Sequence, residues 1–74
     1  MPKLPVVSGR EAVKALSKIG YRVDHQTGSH IIVRLDVPPY RRLTVPNHAE
    51  LAKGTLRGII EDAGLTVEDF LRLL

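Results

Sequence analysis

Cysteine is absent from the 74 residues, so disulfides and thiolate metal sites are excluded. Tryptophan is absent as well, and the aromatics are only Tyr21, Tyr40 and Phe70. Tyr21 and Phe70 fall within apolar patterns and read as core, which leaves Tyr40 on a loop and little material for stacking on nucleic-acid bases. No apolar run approaches the ~20 residues of a membrane span. The N-terminus lacks the basic-then-apolar order of a secretory signal. These absences lead to the expectation of a soluble cytoplasmic protein forming one small domain over residues 1–74. So short a chain has a thin core, and its stability depends on local signals agreeing with one another.

Charge is unevenly spread. The formal net charge is +3, but residues 1–60 carry ten Lys and Arg against Glu11, Asp24, Asp36 and Glu50, a net of +6. Residues 61–74 carry Glu61, Asp62, Glu68 and Asp69 against Arg72 alone, a net of −3. A basic body with an acidic end suits a polyanion on one side, although an ordinary solvated surface has the same composition.

Met1 to Val7 contains Pro2 and Pro5 and is expected to be an extended arm. Ser8-Gly9-Arg10-Glu11 fits a capping box. Ala12, Ala15, Leu16 and Ile19 then form one apolar stripe at helical spacing, with Gly20 as a left-handed stop. Tyr21 to Asp24 alternates and reads as a first strand, turning through His25–Ser29 into a second, His30–Leu35. Asp36-Val37-Pro38-Pro39-Tyr40 must be a loop, because paired prolines cannot serve a central strand. Arg41 to Val45 alternates again as a third strand, ended by Pro46-Asn47-His48.

Ala49–Lys53 is expected to be irregular or a single turn. Thr55 is a candidate cap for a second helix carrying Leu56, Ile59, Ile60 and Ala63, with Gly64 as its stop. Thr66 and Asp69 suggest a further cap for a short last helix with Val67, Phe70, Leu71 and Leu74. The fold class is therefore α+β, a two-layer sandwich of helix, three antiparallel strands, helix and a short C-terminal helix. Both main helices are expected on the sheet face carrying Val23, Ile31, Val33, Leu35, Leu43 and Val45. Arg22, His30, Arg34 and Arg42 then share the open face.

Chemistry concentrates between Gln26 and Leu35. The turn Thr27-Gly28-Ser29 delivers His30 to the first position of a strand-forming run. Imidazole titrates near neutrality and can take or give a proton, so His30 is the candidate for acid–base work on a phosphate ester. Gly28 and Ser29 can support it with backbone amides or a hydroxyl. His48, on the loop after the third strand, is a candidate partner or simply a turn residue. His25 is assigned to the solvated turn. Arg22, Arg34, Arg42 and Lys53 are candidates for contact with the phosphates of a polyanion backbone, contact that positions a strand without reading its sequence. The spacing of the histidines matches no usual zinc pattern, so no metal and no other cofactor is expected.

The same residues carry a family resemblance. Leu4-Pro5, Ser8-Gly9, Leu16, Gly20-Tyr21, Gln26-Thr27-Gly28-Ser29-His30 and Val45-Pro46-Asn47-His48 come in order. Lys53-Gly54-Thr55-Leu56-Arg57-Gly58-Ile59-Ile60 and Ala63-Gly64 follow. In this combination the chain resembles the HicA-type toxins of toxin–antitoxin pairs, also described as YcfA-like mRNA interferases. The resemblance implies a double-stranded-RNA-binding-like fold and a small endoribonuclease that cleaves mRNA. It further implies inhibition by a HicB-type antitoxin, and activity carried by the histidine of Gly-Ser-His, here His30. His25 stands where relatives often have arginine. A non-catalytic RNA-binding module and a protein-interaction domain with a basic face are the alternatives on the residues alone.

Overall fold

The computed structural model describes residues 3–74. Met1 and Pro2, the first part of the expected arm, lie outside them. The elements are α1 (Gly9–Ser17), β1 (Tyr21–Thr27), β2 (His30–Leu35), β3 (Arg42–Pro46), α2 (Lys53–Asp62) and α3 (Val67–Leu73). The strands form one antiparallel sheet in the order β1-β2-β3. α1 packs across β1 and β3, α2 packs on β3, and α3 packs against both other helices. The expected α+β sandwich is the fold observed.

Each helix start has a local cause. The Glu11 amide donates to the Ser8 hydroxyl at 3.0 Å, and the Ser8 amide donates to the Glu11 carboxylate at 2.9 Å. Thr66 and Asp69 make the same reciprocal pair ahead of α3. The α2 start departs from expectation. Ala52 is its N-cap with no side-chain bond, so Thr55 lies inside the first turn instead of capping it. The reason is tertiary: the amide of buried Leu51 donates to the Val7 carbonyl at 2.9 Å and fixes the chain one turn early.

The core joins Leu16, Leu56, Ile60 and Phe70 of the helices to Val33 and Val45 of the sheet, all fully buried. Removing Phe70 or Leu16 would leave a cavity and cost about 3–5 kcal/mol. Ile19, expected on the α1 stripe, is 37% exposed because the helix ends at Ser17 and Ile19 falls in the following turn. Val23 is paired with Val33 on the helix side but is 55% exposed, because β1 is an edge strand reaching beyond the cover of α1.

The largest departure is in β1 itself. The strand runs to Thr27 instead of stopping at Asp24, and its register slips between Val23 and His25. This is a β-bulge in which Asp24 and His25 together oppose Ile32. The third strand begins at Arg42 and takes in Pro46, one residue later than expected at each end.

Candidate functional site

His30 opens β2 at the end of the Gly28-Ser29 turn, paired with Thr27 on one side and Pro46 on the other. Gly28 has φ +55°, in the left-handed region, and among the described residues no atom crowds the place of its missing Cβ, so its need is conformational. The Asn47 amide donates to the Ser29 carbonyl at 2.6 Å, and the Gly9 amide donates to the His48 carbonyl at 2.9 Å. The start of α1, the β1–β2 turn and the loop after β3 are thereby tied together at one end of the sheet. A side chain at Gly9 would collide with the Pro46 carbonyl oxygen, so only glycine allows that closure. Both His30 and His48 are exposed. The structure joins their segments through backbone and places no side-chain hydrogen bond on either ring among the described residues.

Arg22, Arg34 and Arg42 stand abreast across the three strands on the face that no helix covers. Arg34 lies four positions along β2 from His30, or about 13 Å at the usual strand rise. Arg22 pairs with Asp36 at 2.6 Å. Both side chains are exposed, so the pair contributes at most about 1 kcal/mol. Three guanidiniums in a row make that end of the sheet a positive strip suited to phosphates.

The bulge brings two more groups to this face. His25 is not in the turn but in β1, opposite Ile32. Its Nδ1 lies 2.7 Å from the Asp24 carboxylate. That hydrogen bond holds the Asp24 carboxyl below its ordinary range, helped by the positive fields of Arg34 and Arg42. Asp24 is therefore ionised at neutral pH and accepts, which makes Nδ1 of His25 the donor. A register slip of one residue leaves no periodic trace in sequence. The signal that was available is a charged residue, Asp24, in the middle of a strand, where aspartate is disfavoured.

Lys53 does not join the arginine row. It opens α2 in the helix layer, where with Lys3, Leu4 and Arg57 it lines a shallow cleft of about 300 Å³. Arg57 follows Lys53 by four helical positions and so shares its face, a spacing that could have drawn attention to it. Among the described residues no three His, Cys, Asp or Glu side chains stand together as a metal site. Among the same residues no helix is long and apolar enough to cross a membrane.

No curated protein matches the chain. Residues 9–65 match the family model of the HicA toxin of bacterial toxin–antitoxin systems. That span runs from the start of α1 past the end of α2 and takes in the turn, the whole sheet and the loop bearing His48. The chain belongs to the HicA toxin family.

Proposed function

We propose that this toxin is a metal-independent endoribonuclease that cleaves mRNA with His30 as its acid–base group, restrained by a HicB-type antitoxin. The observation that carries the reading is the position of His30, an exposed imidazole at the mouth of a rigid turn, on the sheet face left uncovered by helices. An RNA strand laid on that face meets His30 at one end and the Arg22, Arg34 and Arg42 row at the other. The backbone amides and hydroxyl of Gly28 and Ser29 are suited to the phosphate as charge develops on it. His48 lies on the loop whose Asn47 amide holds the turn, and is a supporting residue of the site. Lys53 binds a more distant phosphate as the strand leaves the face.

In this mechanism the RNA supplies its own nucleophile. A base takes the proton of a 2′-hydroxyl, the oxygen attacks the adjacent phosphorus, and the 5′-oxygen of the next nucleotide leaves. Proton transfer by a placed imidazole contributes typically ~10²–10⁴-fold, and no metal is needed for either step. The test is incubation of a long unstructured RNA with purified protein in EDTA, wild type beside His30→Ala. Cleavage by wild type alone supports the reading. RNA binding without cleavage by either protein would instead make the domain a binding module.

A further inference from the structure

We propose that His25, held by Asp24, is the second proton-transfer group of this site and protonates the leaving oxygen while His30 takes the proton of the attacking hydroxyl. The proposal rests on the ribonuclease reading above.

The first support is the bulge. In an uninterrupted strand His25 would follow Val23 by two positions and point to the helix side. Because Asp24 and His25 together oppose Ile32, both side chains reach the open face, and the position after them, Gln26, returns to the helix side opposite Ile31. Bulges give up a ladder position and re-aim side chains, and they recur beside active sites. The second support is the hydrogen bond. With Nδ1 donating to Asp24 at 2.7 Å, the ring orientation is fixed and Nε2 is the nitrogen left for a substrate, where the protonated ring carries its second N–H. The side chain is 53% exposed, so Nε2 is reachable.

The third support is register. Thr27 pairs with His30 and His25 pairs with Ile32, so the two histidines are diagonal neighbours on one face. Such positions lie about 7–8 Å apart, a spacing at which two imidazoles can flank one phosphodiester. His48 is the other histidine at this end of the sheet, but among the described residues no side chain orients its ring.

The step balances without any further reactant. The O2′–P bond forms and the P–O5′ bond breaks. The 2′-hydroxyl proton passes to the His30 imidazole, and the proton on His25 Nε2 passes to O5′. The products are a 2′,3′-cyclic phosphate and a 5′-hydroxyl, and exchange with solvent resets both rings. Asp24 offsets the charge of the protonated His25 ring and acts as a positioning residue.

A sulfur leaving group isolates the step, because a thiolate departs without being protonated. The substrate is an RNA oligonucleotide with a 5′-bridging sulfur at a bond that wild type cuts in the all-oxygen strand. His25→Ala should slow cleavage of the oxygen bond by ~10²-fold or more and cut the sulfur bond within about threefold of wild type. Asp24→Asn should show a smaller loss with the same rescue. His30→Ala should be slow on both. Circular dichroism and thermal unfolding confirm the fold, which an exposed position should preserve. Wild-type rates for His25→Ala on both substrates, or equal losses on both, would overturn the proposal. If wild type cuts neither RNA, the ribonuclease reading itself fails, and His25 loses its role with it.

Discussion

Replacing Gly9 by alanine puts a methyl group where the backbone of β3 already lies. The added Cβ meets the Pro46 carbonyl oxygen and crowds Asn47 Cα, neither of which can rotate away as a side chain would. Forcing atoms into packed space costs about 1–3 kcal/mol. Moving the start of α1 away from the end of β3 also stretches the Gly9 to His48 hydrogen bond, worth about 1 kcal/mol. Alanine returns at most about 1 kcal/mol of helix propensity. The net loss is about 1–3 kcal/mol. A 74-residue domain has roughly 4–11 kcal/mol in total, so the variant should remain folded in buffer but be much weakened. With a urea slope of about 1 kcal/mol/M, the unfolding midpoint should fall by about 1–3 M. Gly54→Ala is the control. Among the described residues no atom lies within 4 Å of its added Cβ, so the midpoint should rise by about 0.5–1 M. A Gly9→Ala midpoint at or above wild type would refute the close-approach account.

Other outcomes follow from single groups. The Tyr21 hydroxyl is buried without a hydrogen-bond partner among the described residues, and burial pushes its pKa up against the opposing field of Arg41. Tyr21→Phe should therefore leave stability unchanged or raise it by about 1 kcal/mol in urea unfolding, and a loss of that size would show a partner for the hydroxyl. Hydrogen bonds from Thr66, backbone first and hydroxyl second, hold the Asp69 carboxyl below its ordinary value. The unfolded chain takes up that proton first, so this stabilisation is complete above about pH 4 and is lost as pH falls through the folded-state value. Between about pH 6 and pH 3 the wild type should lose more stability than Asp69→Asn, and equal losses would contradict the linkage. Arg34→Ala and Arg42→Ala should each reduce the slope of log affinity against log salt for single-stranded RNA by about 0.7, and unchanged slopes would place the RNA elsewhere.

Much of this fold could be read from local chemistry. Ser8 with Glu11 and Thr66 with Asp69 announce their helices because both halves of each capping pair are adjacent in sequence. The alternation of His30–Leu35 survives in the structure because β2 is the central strand, with Ile31 and Val33 buried on its covered face. What escaped depends on distant partners. The early start of α2 is set by the bond from Leu51 to Val7, so the propensity of Thr55 to cap was overridden. Gly9 looked like part of a cap, and its closer constraint exists only once Pro46 is folded against it. For the site, His30 was placed on the open face by period alone. The sequence pattern puts His25 in the turn, because the bulge at Asp24 reverses the alternation there. Lys3, Lys53 and Arg57 meet only because the N-terminal arm returns to α2.

The central claim is that His30 moves a proton during RNA cleavage. Its most direct test is the single-turnover rate constant for one defined RNA in EDTA, measured for wild type and His30→Ala after both are shown to be folded. The account predicts metal-free cleavage by wild type and a fall of ~10²-fold or more in the variant. Equal rate constants, or cleavage by wild type that vanishes in EDTA, would contradict it.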